Sequence, residues 1–275
     1  MSFLESILYG FVSGLAEFLP VSSKAHQLFI RYFCGISSED SLQDLLVHIA
    51  LLFSILVACR DVIFRLKLYS KKRIRKKKKV RLLDTKSAYD LRLVKTTCVP
   101  LFLGFLLSFT TRKLENNLLF LILFLIINGV VLLFAEHSAH GNRDSRSMTA
   151  LDGIVMGLLG SFSAFPGISR TGVIASYATI RGADHQNTAL WTILIGIPAL
   201  LWGVCFDFIG VFSFDISMIS LYGVLNYIFS GLAAFCGGYI GISLFKAALN
   251  HAAFSGFAYY SFGAAFLSFL LYLLT

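Results

Sequence analysis

The hydrophobic pattern of this 275-residue chain consists of long apolar blocks rather than alternating apolar and polar positions. An apolar block of about 18 residues or more is long enough to cross a bilayer as a helix. Blocks near or above this length lie at residues 42–59, 96–110, 118–135, 189–206, 219–240 and 252–274. The pattern therefore predicts an all-α, polytopic membrane protein, with about six transmembrane helices in a single membrane domain over residues 1–275.

Two further apolar segments, residues 3–32 and 151–178, are broken by proline, glycine, serine and charged residues. Neither segment offers a continuous stretch of spanning length. Irregular backbone at membrane depth is tolerated only where protein or a water-filled cavity covers it. We therefore expect both segments to form re-entrant helical hairpins, with polar loops at residues 20–26 and 166–172.

The two broken segments match each other at a constant offset of 146 residues. The matched pairs are Gly14 with Gly160, Pro20 with Pro166, Ser23 with Ser169, Lys24 with Arg170, Cys59 with Cys205 and Asp61 with Asp207. This pattern indicates an internal duplication, with repeats at about residues 1–61 and 147–207. Three predicted spans separate the copies, and an odd number inverts the second copy, as in transporters whose broken helices meet near the midplane.

The composition agrees with a membrane protein, because 57% of the residues are hydrophobic and 14% are charged, against roughly 25% charged in soluble domains. The net charge of +9 is local, since residues 60–95 hold 15 of the 24 basic residues. Such a segment between two spans is typical of a cytoplasmic loop that follows the positive-inside rule and touches anionic lipid. We expect residues 62–95 in the cytoplasm, both termini outside, and no nucleic-acid partner.

The first residues lack a basic region followed by a small-residue cleavage site, so we expect no cleaved signal peptide. The five cysteines lack CxxC spacing and lie mostly in apolar blocks. We expect them to pack as small apolar residues rather than to form disulfides or a zinc site.

Polar and charged side chains cluster in both predicted hairpins. Each charge at bilayer depth costs at least ~2.5 kcal/mol on insertion scales, so such residues indicate a function by default. The first hairpin carries Glu17, Ser22, Ser23, Lys24 and His26, and the second carries Ser163, Ser169, Arg170 and Thr171. The alternative is a Glu17–Arg170 pair that only stabilises the fold, but that alternative leaves the histidine and the serines unexplained.

This set of side chains suits a phosphate ligand. Arg170 offers a forked donor set, and the helix N-termini after each loop would direct backbone N–H groups at an anion. Ser23 or Ser169 could donate hydrogen bonds or attack as a nucleophile beside a base, and His26 could carry a proton near neutral pH. Glu17 could act as a base or bind a divalent cation, although a single carboxylate provides few protein ligands for a metal.

Two pairs of residues outside the hairpins are weaker candidates. Asp44 and His48 lie four residues apart and share one face of the first predicted span. That face either turns toward the hairpin loops or forms a pair within the helix. His137 and His140 lie in a short polar segment that we expect to be solvated rather than metal-binding.

The hairpin motifs resemble those of the undecaprenyl-diphosphate phosphatase family, of the bacitracin-resistance type. The resemblance rests on Glu-Phe-Leu-Pro-Val-Ser-Ser at residues 17–23 followed by His26, on Pro-Gly-Ile-Ser-Arg-Thr-Gly at residues 166–172, and on the order of the spans. It implies six spans and two opposed re-entrant regions. It also implies removal of the terminal phosphate from undecaprenyl diphosphate at the outer face of the bacterial cytoplasmic membrane, which recycles the lipid carrier for peptidoglycan synthesis.

The resemblance also implies partners and residue roles. A divalent cation, Mg²⁺ or Ca²⁺, would support the reaction, with Glu17 as its protein ligand. The partners would be a polyprenyl diphosphate and membrane lipids, and a homodimer is left open. Together with the chemistry above, the resemblance assigns catalysis to Glu17, Ser23, His26 and Arg170, and substrate binding to Ser22, Lys24, Ser169, Arg170 and Thr171. It leaves the nucleophile open between Ser23 and His26.

The sequence departs from the family pattern at five positions. These are Ser13 for the first acidic or amide residue, Lys24 for a threonine, His48 for a glutamine, Ile174 for a threonine and Ser261 for an arginine. Losing a carboxylate should weaken cation binding, and Lys24 would then act as a point charge on phosphate. We expect an acid anhydride hydrolase. The alternative, which Ser13 and Ile174 favour, is a polyprenyl-phosphate flippase of the same fold with reduced or no hydrolysis.

Overall fold

The computed structural model describes residues 1–36, 40–66, 85–114, 117–138, 141–212, 221–250 and 254–274, and these residues are almost entirely helical. In chain order the helices are α1 (Phe3–Phe18), α2 (Ser23–Phe33), α3 (Ser41–Ala58), α4 (Thr85–Thr111), α5 (Leu118–Glu136), α6 (Ala150–Ser161), α7 (Arg170–Ile180), α8 (His185–Val211), α9 (Leu221–Asn250) and α10 (Phe254–Leu274). A short 3₁₀ turn, Phe162–Ala164, follows α6.

Within the described residues, six helices are long and apolar enough to span a membrane, namely α3, α4, α5, α8, α9 and α10. The prediction of an all-α membrane protein with about six transmembrane helices is therefore confirmed. Several helices extend beyond their apolar blocks. Helix α4 begins at Thr85, inside the predicted basic loop, because Asp90 and Leu93 are buried against the rest of the protein and Trp191 donates a hydrogen bond to Asp90. Residues 67–84 of that loop lie outside the described residues.

Each of the two broken segments folds as a pair of contacting helices, α1 with α2 and α6 with α7. Pro20 follows the end of α1 closely, and a proline disfavours helical backbone in the residue before it. In the second segment Pro166 has the same place, and Gly167 adopts a φ of 107° that strongly favours glycine. Serine side chains then start the second helix of each pair. That these pairs enter and leave the membrane on one side stays a prediction.

The helices of the two halves of the chain contact each other in a symmetric pattern. Helix α1 packs on α9, and correspondingly α6 packs on α4; α3 packs on α9, and α8 packs on α4. The central contacts, α3 with α8 and α5 with α10, join equivalent helices. This pattern is compatible with a repeat longer than the predicted residues 1–61 and 147–207, because it includes α4, α5, α9 and α10. The repeat and its inversion stay predictions.

Glycines allow the closest of these contacts, between α1 and α9. A Cβ atom added at Gly10 would meet the carbonyl oxygen of Ser230, and one added at Gly237 would meet the carbonyl oxygen of Phe11. The two backbones are therefore in direct contact, as in other membrane helix pairs with small residues at the interface.

We predict that Gly10→Ala destabilises the protein by about 1–3 kcal/mol, the usual cost of overpacking. Gly263→Ala on α10 is the matched control, because a Cβ there has no neighbour within 4 Å. Alanine is favoured over glycine in a helix by ~1 kcal/mol, so the control should unfold at the same or a higher temperature. Thermal unfolding in detergent measures both variants, and equal melting temperatures would contradict the close α1–α9 contact.

Candidate active site

The loops that break the two helical pairs lie against each other and exchange hydrogen bonds. The hydroxyl of Ser22 accepts from the backbone N–H of Gly167 at 3.0 Å, and the hydroxyl of Ser169 donates to the carbonyl oxygen of Leu19 at 3.1 Å. Each serine also caps its own helix by accepting from the N–H three residues later. Both side chains are buried. The structure thus brings the two predicted loops together.

A second pair of contacts crosses between the loops. Lys24 Nζ donates to the carbonyl oxygen of Ala164 at 2.9 Å, and Thr171 Oγ1 donates to the carbonyl oxygen of Glu17 at 2.8 Å. Lys24 and Thr171 both lie two residues after a helix cap. By helix position Ser169 therefore corresponds to Ser22, one residue before the Ser23 that the offset of 146 pairs with it.

Asn128 on α5 joins both loops to α10, and the sequence analysis did not identify it. Its side-chain amide donates to the carbonyl oxygen of Pro20 and to Ser261 Oγ, and its carbonyl oxygen accepts from the N–H of Ser169 at 2.9 Å. Asn128 is fully buried. The available signal was a lone amide in an apolar block, since a buried polar group needs partners. The departure at Ser261 fits this site, where its hydroxyl bonds Asn128.

Arg170 lies at the floor of a cavity beside these loops. Its Nη2 is 3.3 Å from Glu17 Oε1, and its Nη1 donates to the carbonyl oxygen of Gly196. The Arg170 side chain is only 4% exposed. Among the described residues, neither its Nε nor its Nη2 makes an aligned hydrogen bond. Nη2 keeps its ion pair with Glu17, so Nε is the donor of this guanidinium that has no polar partner among the described residues.

The cavity has a volume of about 170 Å³ and is lined by charges of both signs. Its polar lining includes Glu17, Ser23, Lys24, Gln27, Arg31, Asp44, His48, Ser108, Arg112, Ser169, Arg170 and Asp207. It extends from the loops toward Ser41, where α3 begins, and Asp207, near the end of α8. The cavity therefore lies toward the end of the spans opposite the basic segment, which follows the other end of α3.

Ser23 lines this cavity, and Ser13 is buried beside it. Ser23 is partly exposed, and its hydroxyl has a long hydrogen bond of 3.4 Å to the carbonyl oxygen of Ser13. The Ser13 hydroxyl accepts from the side chain of Gln27 at 3.2 Å. Where the resemblance implies an acidic or amide side chain, this chain therefore has a buried hydroxyl.

His26 does not line the cavity that contains Glu17, Ser23 and Arg170. It borders a separate, largely apolar cavity of about 500 Å³, with Leu15, Leu19, Phe257 and Tyr260 among its walls. His26 Nδ1 lies 2.6 Å from the carbonyl oxygen of Ser22, which can only accept, so this nitrogen carries the hydrogen. The other nitrogen, Nε2, then accepts from Tyr260 at 2.6 Å. Both ring nitrogens of His26 are thus engaged.

His48 and Asp44 both line the charged cavity, and each has a partner on another helix. His48 Nδ1 lies 2.5 Å from Asp207 Oδ2, and Tyr9 donates a hydrogen bond of 2.6 Å to Asp44. Of the two expected arrangements, the structure has the one in which this face turns toward the loops. Asp207 appeared in the sequence analysis only as one member of a matched pair.

The remaining sequence candidates lie elsewhere. Ile174 is fully buried in the apolar core. His137 is exposed, and its ring bonds the backbone of α5, while His140 lies outside the described residues. In the described ranges, no three His, Cys, Asp or Glu side chains come together as a metal site would require.

The comparisons with known proteins agree with the resemblance in the hairpin motifs. The undecaprenyl-diphosphatase of Carboxydothermus hydrogenoformans is 28% identical over 263 residues, covering 94% of this chain and 94% of its own. The undecaprenyl-diphosphatase of Prochlorococcus marinus strain MIT 9215 is 30% identical over 220 residues, covering 78% and 79%. Undecaprenyl-diphosphatase 1 of Shouchella clausii is 26% identical over 275 residues, covering 98% and 96%. The family model described as bacitracin resistance protein BacA matches residues 6–267, and the chain therefore belongs to the BacA family.

Proposed function

We propose that this protein is a membrane hydrolase that converts undecaprenyl diphosphate to undecaprenyl phosphate and inorganic phosphate. The names of its relatives support this function and give no support to the flippase alternative. The structural observation that carries the proposal is Arg170, a buried guanidinium that pairs with Glu17 in the lining of a charged cavity. A terminal phosphate with several acceptor oxygens is the group that guanidinium donors bind best.

The phosphate would lie between Arg170 and the helix that begins at Ser23. Lys24 and Ser23 line the same cavity, and the N-terminus of α2 adds backbone N–H groups and a positive dipole. Because these groups are held in place before substrate binds, they can stabilise the charge that develops as the bond to the terminal phosphorus breaks.

Sharing this cavity favours Ser23 over His26 as the side chain that contacts the phosphate. The hydroxyls of Ser22, Ser169 and Thr171 are occupied by backbone groups of the opposite loop. These hydrogen bonds support a positioning role for the three residues. Their direct contact with substrate stays a prediction. The ring nitrogens of His26 bond the carbonyl oxygen of Ser22 and the hydroxyl of Tyr260. A role for His26 in catalysis also stays a prediction.

The residues present do not fit a resident divalent cation. Glu17 is the carboxylate at the loops, and it already pairs with Arg170. The neighbouring position that would supply a second ligand is Ser13, whose hydroxyl accepts from Gln27. Glu17 as a metal ligand stays a prediction, and no step proposed here depends on a metal.

The bacterial cytoplasmic membrane is the proposed location, with the inverted repeats centred on the two loops. The basic segment after α3 would be cytoplasmic, which places the cavity on the outer side, where the headgroup of an outer-leaflet lipid could enter it. A homodimer stays a prediction.

Arg170→Ala should lower phosphate release from a C55 diphosphate by at least ~100-fold, because it removes charge stabilisation in the transition state. Arg170→Lys keeps the charge but loses the fork, so its rate should fall in between. Arg146→Ala is the control, since this exposed arginine pairs with Asp144 away from the cavity. Wild-type rates in Arg170→Ala would remove the phosphate site from Arg170.

Ser22→Ala should lower the stability of the protein, whereas Ser23→Ala should lower its rate of phosphate release. Ser22→Ala loses a helix cap worth about 1 kcal/mol and leaves the Gly167 N–H buried without a partner, so its melting temperature should fall. Ser23→Ala should melt like wild type but release phosphate at least ~100-fold more slowly, whether Ser23 attacks or only donates a hydrogen bond. The reverse assignment of the two losses would refute these roles.

The orientation can be tested with Lys77→Cys in a background without the five native cysteines. We expect a membrane-impermeant maleimide to label this cysteine in inverted vesicles but not in intact cells, since 15 basic residues favour the cytoplasm for this segment. Labelling in intact cells would instead mean that the segment lies outside the cell and that the cavity lies on the cytoplasmic side.

A further inference from the structure

A second histidine, His48, shares the charged cavity with Arg170 and is held by a buried carboxylate. We propose that His48, oriented by Asp207, accepts the proton of the water that is consumed when the terminal phosphate is released. This inference rests on the proposed hydrolase function and deepens it, because it assigns the proton acceptor of that site.

The hydrogen bond between the His48 and Asp207 side chains determines which nitrogen of the neutral imidazole carries the hydrogen. His48 Nδ1 lies 2.5 Å from Asp207 Oδ2, and the side chains are 26% and 9% exposed. An ionised carboxylate can only accept, so Nδ1 carries the hydrogen, and in the neutral imidazole Nε2 is the nitrogen with the lone pair. A carboxylate that fixes the tautomer and orientation of a histidine in this way also stabilises the imidazolium that forms on proton uptake.

The imidazole turns an edge to the cavity because its face lies on Gly203. The ring atoms Nε2, Cδ2 and Cε1 are all 3.2–3.3 Å from the position of a Cβ on Gly203. Nearly equal distances to three ring atoms indicate that the face of the ring, rather than Nε2, points at the helix. Among the described residues, Nε2 has no hydrogen-bond partner.

The distance between His48 and Arg170 suits one phosphate and one water. The guanidinium of Arg170 lies over Gly196 of α8, with Nη2 3.1 Å from the Cβ position, and His48 lies over Gly203 of the same helix. Seven residues of helix rise about 10 Å. A guanidinium–phosphate contact followed by a phosphate–water and a water–imidazole contact fills about this length, which places His48 on the open side of the bound phosphate.

His26 is less suited to this task than His48. Its Nε2 already accepts from Tyr260, and it borders the apolar cavity rather than the charged one. The charged or titratable groups that line the cavity with His48 are Glu17 on α1, Lys24 and Arg31 on α2, Asp44 on α3, Arg112 just after α4, Arg170 on α7 and Asp207 on α8. Of these groups, Asp207 is the one bonded to the imidazole.

The step conserves atoms and charge. A water oxygen forms a bond to the terminal phosphorus, and one water proton passes to His48 Nε2. The bond from the terminal phosphorus to the bridging oxygen breaks. That oxygen leaves with the electron pair as part of the lipid monophosphate. Inorganic phosphate is the second product, and the imidazolium returns its proton through the open end of the cavity.

The test compares His48→Gln and Asp207→Asn with wild type in pH profiles of phosphate release from a C55 diphosphate. Removing a general base typically costs 10²–10⁴-fold in rate, so kcat of His48→Gln should fall by at least ~100-fold with little change in KM. The base works only when unprotonated, so wild-type kcat should decline as the pH is lowered through its pKa, and His48→Gln should lose this decline. His137→Gln, at the exposed end of α5, is the matched control.

Asp207→Asn keeps the shape of the pair but cannot stabilise an imidazolium, so it should lower kcat and move the acid limb of the profile. This second variant keeps the test decisive if His48→Gln does not fold. A wild-type rate and an unchanged acid limb in either folded variant would overturn the inference while leaving the hydrolase function intact. Wild-type protein that releases no phosphate would overturn the proposed function, and this inference with it.

Discussion

The requirement that buried backbone groups find partners governs the centre of this protein. Helices α1 and α6 stop, and α2 and α7 start, in loops surrounded by apolar helices. Helix ends leave N–H and C=O groups without partners, and the apolar side chains around these loops cannot supply any. Ser22, Ser169 and Asn128 supply them across the junction. The cavity, which Arg170 and Lys24 line, lies beside this junction.

The lengths of apolar blocks predicted the spans well, because crossing a bilayer requires a minimum apolar length. They predicted helix starts poorly, since α4 begins before its apolar block, where Ser87 and Asp90 are buried and Trp191 donates a hydrogen bond to Asp90. The meeting of the two loops followed from the repeat and from the cost of isolated charges in lipid. Asn128 carried no motif, because a single amide in an apolar helix gives no indication of what it faces.

Proximity in sequence did not predict which histidine lines the charged cavity. His26 lies three residues after Ser23, yet it borders the apolar cavity, whereas Ser23, Gln27 and Arg31, spaced four apart on α2, line the charged one. His48 is 22 positions further along the chain and comes to the cavity because α3 packs against α8. Motif spacing therefore identified the loops, whereas the direction of each side chain depended on helix rotation, which local sequence does not determine.

The position of Asn128 has a mechanical consequence. The side-chain amide of Asn128 bonds the loop before α2, the loop before α7 and Ser261 of α10. These hydrogen bonds connect the two halves of the chain at one residue. Rocking one half against the other would break these bonds together with the reciprocal serine contacts. A movement that opened the cavity by separating the two loops would therefore have to break all of these bonds at once.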